Sequence, residues 1–298
     1  MIPRAIAPRG LSLLLPALLF VTAVAAAQES AERGAYLLRA AGGCGCHTDY
    51  ERDGPFLAGG KPVATPFGTY YSANITPDSE TGLGAWSEED FLRAMRQGIG
   101  RDGSHLFPVF PYTSFTRMRE PDLRDMWAYL NTVEPVKRNN RPHGVWPPFS
   151  WRFPLWGWKA LYFKQGAFNP DPTKPARWNR GAYLVNAVGH CGECHTPRNF
   201  AGALKPAMHL AGSLEGAEGK AVPNITPHEA TGIGAWSDTD IVWYLENGLA
   251  PDGESAEGLM GELIEHGYSH LRESDLQAIA AYLKSIKPIR NEIARRDE

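Results

Sequence analysis

Apolar positions along this chain recur mostly at helical spacing, and alternation of period two is scarce. The pattern predicts helices over residues 32–41, 91–97 and 120–132, and again over 179–188, 241–247 and 273–286. Ser87 and Ser237 stand before acidic stretches that end in Asp90 and Asp240, as N-caps with negative first turns do. Gly98 and Gly248 follow the same two helices as closing residues. With 31 Gly and 24 Pro in 298 residues, the connections should be long and irregular. The expectation is an all-α chain with long loops.

The helices come in two sets because the chain contains a repeat. Asn74-Ile75-Thr76-Pro77, continuing to Gly84, Trp86 and Ser87, recurs as Asn224-Ile225-Thr226-Pro227, continuing to Gly234, Trp236 and Ser237. Upstream, Arg33-Gly34-Ala35-Tyr36-Leu37 recurs as Arg180-Gly181-Ala182-Tyr183-Leu184. Downstream, Asp122 and Ala128-Tyr129-Leu130 recur as Asp275 and Ala281-Tyr282-Leu283. Two copies of this size predict duplicated domains rather than a solenoid. They would occupy residues 28–135 and 178–298, joined by a Pro- and Trp-rich linker over 136–177.

The first residues carry a different pattern. Arg4 and Arg9 precede an apolar run over 11–27 that ends in three alanines, which predicts a signal peptide over 1–27 and export to the periplasm. An uncleaved anchor is the alternative. Loss of Arg4 and Arg9 would move the formal charge from −3 to −5, and that balance excludes a nucleic-acid partner. Four cysteines are too few for a disulfide scaffold at this length.

The cysteines carry the chemistry. Cys191-Gly192-Glu193-Cys194-His195 has the spacing of a c-type haem attachment site. Two thiols would reach the two vinyl groups, and the adjacent imidazole would take one axial position on iron. A thioredoxin-like pair lacks its βαβ context, and a zinc site would need two further ligands. The first copy reads Cys44-Gly45-Cys46-His47, one residue shorter. Gly34 to Cys44 and Gly181 to Cys191 are both 10 positions, so the missing residue lies inside the loop. His47 should still reach iron, while a bond from Cys44 to a vinyl group is left open. A Cys44–Cys46 disulfide is geometrically awkward. A second haem c, held by one or two thioethers, is expected, and a haem-free first copy is the alternative.

These motifs, with both Asn-Ile-Thr-Pro segments, resemble the di-haem cytochromes c akin to the cytochrome subunits of periplasmic alcohol, gluconate and aldehyde dehydrogenases. The resemblance covers nearly all of residues 28–298. It implies two tandem class I cytochrome c domains that pass electrons from a dehydrogenase toward the respiratory chain. Such subunits often carry three haems and a C-terminal membrane helix, whereas this chain has two motifs and a charged end.

The second axial ligand sets the redox role, since a thioether opposite His raises the potential. Met260, in a predicted loop before the last helix, is the candidate in the second copy; Met208 lies only 13 residues from His195. The equivalent of Met260 in the first copy is Phe110, which cannot ligate. Met118, in the loop before the last helix of that copy, is then the candidate, with His105 or an open site as alternatives. Met95 and Met126 read as core. Asn74 and Asn224 match a glycosylation acceptor but read better as loops at a haem edge. The linker holds nine aromatic residues between Trp146 and Phe168, with Arg152, Lys159 and Lys164 among them. They fit glue between the two domains, or else a peripheral contact with a membrane or a partner dehydrogenase. Three functions therefore compete: an electron carrier, a peroxidase-like di-haem oxidoreductase with a reactive first haem, and a redox sensor with a vestigial first domain.

Overall fold

The computed structural model describes residues 14–293 except 44, 217 and 218. The basic start of the predicted signal peptide and Cys44 lie outside the described residues. The chain is mostly helical. Helix α1 (Leu14–Ala40) runs unbroken from the apolar run through the first repeat motif, so it begins well before the predicted residue 32. It ends where Gly42 and Gly43 turn into positive φ and return their N–H groups to Arg39 and Leu38.

Then come strands β1 (Pro62–Thr65) and β2 (Gly68–Tyr71), followed by α2 (Glu88–Gln97), α3 (Tyr112–Phe115) and α4 (Glu120–Leu130). Strand β3 (Gly144–Val145) and α5 (Leu155–Tyr162) lie in the predicted linker. The second set is α6 (Ala176–Tyr183), α7 (Gly192–His195), α8 (Asp238–Asn247), α9 (Gly258–His266) and α10 (Glu273–Ser285). Helix α6 continues as a wider π-type turn over Leu184–Val188, which closes on the positive-φ residue His190.

The strands are a departure from the all-α expectation. β1, β2 and β3 form a small antiparallel sheet, in which Pro62 faces Tyr71 and Gly68 faces Val145. Each strand is four residues or fewer, too short for alternation to register in the sequence. The caps behave as expected. Ser87 and Ser237 form capping boxes with Asp90 and Asp240, and Gly98 and Gly248 close in the left-handed region.

The repeated Arg-Gly-Ala-Tyr-Leu motif has a packing reason. A Cβ at Gly34 would lie 1.9 Å from the Asp125 carbonyl oxygen, and one at Gly181 would lie 1.9 Å from that of Ala278. α1 can cross α4, and α6 can cross α10, only because those two positions lack a side chain. The buried core is shared between the halves. Leu37, Leu38, Met118 and Leu123 belong to the same cluster as Leu184, Val185, Leu276 and Leu283.

Two tyrosines tie each half to the other. Tyr36 Oη donates to Asp275 at 2.5 Å and accepts the Arg272 N–H at 3.2 Å, at the start of α10. Tyr183 Oη donates to Asp122 at 2.5 Å and accepts the Arg119 N–H at 3.1 Å, at the start of α4. The segment over 136–177 touches both halves as well. Lys159 Nζ donates to the Gln97 and Gly98 carbonyls at 2.7 Å each, and Trp158 Nε1 donates to the Ala201 carbonyl at 2.8 Å.

Candidate functional site

His47 closes a short 3₁₀ turn, Gly45–His47, just beyond the glycine end of α1. His195 closes α7, just beyond the end of the α6 extension. Nδ1 of His47 lies 2.7 Å from the Ala73 carbonyl oxygen, and Nδ1 of His195 lies 2.8 Å from that of Pro223. A carbonyl can only accept, so each Nδ1 carries the proton. Burial lowers both pKa values and keeps the rings neutral at pH 7. The lone pair of each imidazole therefore sits on Nε2, on the edge turned away from the carbonyl. This is the tautomer and the orienting bond that a metal-ligating histidine requires.

The carbonyls are held in place by the repeated segment that follows them. The Asn74 amide donates to the Val136 carbonyl at 2.7 Å and accepts from Thr76 Oγ1 at 2.7 Å. The Asn224 amide donates to the Ile289 carbonyl at 2.8 Å and accepts from Thr226 Oγ1 at 2.7 Å. Both asparagines are buried, which removes them as glycosylation acceptors in the folded chain. Next to the histidines, Thr48 and Thr196 each accept a backbone N–H at 3.0 Å, from Leu57 and Leu210. The sequence reading misses these buried threonines, although a His-Thr pair in both copies is a signal that could have found them.

Cys191 and Cys194 are half-buried and form no disulfide. Burial pushes both thiols up to about 12, so they are protonated at neutral pH. Tyr268 Oη donates to the Gly189 carbonyl at 3.5 Å, and a Cβ on the neighbouring Gly267 would meet Gly42 at 2.7 Å, so one turn touches the start of both loops. The two Cys-His loops are thus neighbours. Among the described residues, which do not include Cys44, no three His, Cys, Asp or Glu side chains are placed to hold a metal ion.

Each loop also packs against the opposite half. Glu193 accepts from Thr113 Oγ1 at 2.6 Å and Ser114 Oγ at 2.7 Å on α3, and it pairs with Arg198 at 2.8 Å. Burial alone would raise its pKa, but Arg198 and the two hydroxyls outweigh that and hold it below the usual carboxylate value. On the other side, a Cβ on Gly43 would meet the His266 carbonyl at 2.5 Å, and Gly45 lies against Leu263 of α9. Lys61 pairs with Glu262 of the same helix.

The candidate thioethers fall in different settings. Met260 lies in the first turn of α9, not in the loop expected for it, and is half-buried against the core. Met118 lies in the bend between α3 and α4 and is fully buried in the core cluster. Phe110, in the place equivalent to Met260, is half-buried with its ring against Tyr112 and Phe115. Met95 and Met126 pack in the core, as their helical positions imply. His105 keeps its Nδ1 buried without a hydrogen-bond partner.

The donor set therefore fits covalent haem c: a thiol pair beside a neutral imidazole whose Nε2 is left for iron. No family model matches the chain. It is 44% identical over 259 residues to a subunit of nicotinate dehydrogenase from Pseudomonas putida, matching 86% of this chain and 21% of that protein. It is 42% identical to the fructose dehydrogenase cytochrome subunit from Gluconobacter japonicus, over 89% of this chain and 54% of that one. It is 38% identical to a di-haem c-type cytochrome from Cereibacter sphaeroides, over 87% of this chain and 86% of that one. The chain thus spans about half of the fructose dehydrogenase protein, a fifth of the nicotinate dehydrogenase one and most of the di-haem cytochrome. Identity at this level over nearly the full length of the last of these places the chain in the di-haem cytochrome c family, alongside the cytochrome c subunits of dehydrogenases.

Proposed function

We propose that this is a periplasmic di-haem cytochrome c that accepts electrons from a dehydrogenase and passes them toward the respiratory chain. Residues 1–27 serve as its signal peptide, residues 28–135 and 178–298 are its two class I cytochrome c domains, and 136–177 join them. Cys46, with or without Cys44, would attach the first haem, and Cys191 and Cys194 the second. His47 and His195 would each offer an imidazole Nε2 to iron. Met260 would supply a thioether to the second haem and Met118 one to the first, since Phe110 has no donor atom.

The observation that carries this reading is the doubled His geometry: His47 on Ala73 and His195 on Pro223, with the same tautomer and the same supporting Asn-Ile-Thr-Pro fold. A vestigial first site would have no reason to keep His47 oriented this way. Bound haem supplies a one-electron couple at each site. The protein's own part is to fix each imidazole, to bury the thiols and to hold both loops against the turn that carries Tyr268. The relatives named as dehydrogenase subunits support a dehydrogenase as donor, and they favour a carrier over a peroxidase-like enzyme. Intact mass of the exported protein tests the reading: two haem increments and loss of residues 1–27 are expected. A single increment would refute the first site.

A further inference from the structure

The linker carries a feature that electron transfer between two buried centres does not use. Helix α5 turns Leu155, Trp158 and Lys159 inward and leaves Trp156, Ala160 and Leu161 outward. Trp156 is 72% exposed and Leu161 77%. Just before the helix, Phe153 is 75% exposed and stacks on Trp151, itself 49% exposed, and Trp146 is 59% exposed. A soluble surface scatters such side chains singly; here they crowd one short segment.

The charge of the same segment is one-sided. Residues 135–170 hold Lys137, Arg138, Arg141, Arg152, Lys159 and Lys164 but no Asp or Glu, in a chain whose formal charge is −3. Lys137 pairs with Glu80, and Lys159 is turned inward onto backbone carbonyls. Arg141, Arg152 and Lys164 are exposed. Arg141 lies over the Tyr71 ring, and Arg152 donates to the His105 carbonyl and lies over the Phe107 ring.

We propose that the α5 face is a membrane-docking surface, which seats Trp151, Phe153, Trp156 and Leu161 in the headgroup layer of an anionic bilayer while Arg141, Arg152 and Lys164 meet lipid phosphates. Eight helical residues extend only about 12 Å, far short of a span, so α5 lies along the interface. Trp and Phe with flanking cations are the side chains that settle at that depth. A protein partner would need an acidic complement to the same cations, whereas an anionic leaflet supplies it everywhere. Lys159, by holding the C-terminal carbonyls of α2, fixes the orientation of the docking helix relative to the first half.

Flotation of the exported haem-loaded protein, without residues 1–27, with phosphatidylcholine vesicles, with and without phosphatidylglycerol, tests this. The wild type should float with the anionic vesicles and much less in high salt. F153S/W156S/L161S should weaken binding at least tenfold, and R141E/K164E by about fivefold or more per cation. All three proteins should share the same far-ultraviolet dichroism and haem spectrum. The charge variant changes only exposed residues, so it guards against misfolding of the apolar one. Absence of wild-type binding overturns the proposal. Unchanged binding by both variants also overturns it and assigns attachment to another surface of the chain. Variants that keep vesicle binding but lose electron transfer from a dehydrogenase would make the face a protein interface instead.

Discussion

Glu193 is the residue by which the two attachment loops differ, since Cys44-Gly45-Cys46 lacks a counterpart to it. Its side chain is 8% exposed and is held by Thr113, Ser114 and Arg198. E193A would leave the Ser114 hydroxyl buried without its acceptor and the guanidinium without its counter-ion. Breaking a buried ion pair by removing one partner costs about 3–5 kcal/mol. Arg198 is 31% exposed and also donates to the Gly202 carbonyl, so it can turn partly to water. That places the cost near the lower bound, at about 3 kcal/mol. E193Q keeps an oxygen for the hydroxyls but removes the charge that faces Arg198. It should cost about 1.5–3 kcal/mol, the worth of a hydrogen bond to a charged group. The assay is urea unfolding of the haem-loaded protein, followed by the Soret band and by far-ultraviolet dichroism. Because Thr113 and Ser114 belong to the first half, T113A/S114A should be strongly non-additive with E193A, with a coupling of about 1–3 kcal/mol. A cost below about 1 kcal/mol for E193A, or strict additivity with T113A/S114A, would refute the claim that Glu193 clamps the second loop to α3.

Four further outcomes follow from the structure. M260A and M118A should each remove one thioether-to-iron charge-transfer band in the visible spectrum and lower one of the two reduction potentials, and an intact band after either change makes that Met a packing residue. N224A should cost about 1–3 kcal/mol, because the Ile289 carbonyl loses its donor and Thr226 its acceptor, as read by urea unfolding. Asp275 is buried, which alone would raise its pKa, but Arg180 and Tyr36 more than offset this and hold it below the usual value of 3.8. Its contribution is then complete above pH about 4 and is lost as pH falls through its depressed folded-state value, so an acid titration of stability should be shallower in D275N. G34A and G181A should each prevent normal folding or cost several kcal/mol, since the added methyl overlaps a carbonyl oxygen, and near-wild-type dichroism and unfolding would show that the helix pairs can separate.

What is legible in the sequence is what the chain encodes locally, and here it is written twice. The capping boxes at Ser87 and Ser237 and the stops at Gly98 and Gly248 are set by residues within a few positions, so their chemistry is visible in one dimension. The His-bearing loops are visible for the same reason. The roles of the remaining repeated residues are not, because their partners lie far away in the chain. Tyr36 and Tyr183 are plain as a repeated position, but only the fold shows that each caps a helix of the other half, 239 and 61 residues away. The Asn-Ile-Thr-Pro segments read as haem-edge loops, while their buried amides brace the carbonyls that orient His47 and His195. Met260 reads as part of the loop after Asp252-Gly253, yet a left-handed Gly258 still lets α9 start there. The strands are hidden by their length, since β3 contributes only two residues and pairs with β2 across a long stretch of chain. Pairing across the repeat has a functional consequence as well. A duplicated cytochrome whose halves merely followed one another would leave the distance between its centres to the linker. Here α3 grips one loop through Glu193, α9 grips the other through Gly43 and Glu262, and the tyrosines lock the helices behind them. The spacing of the two His-bearing loops is thereby built into the core that both halves share.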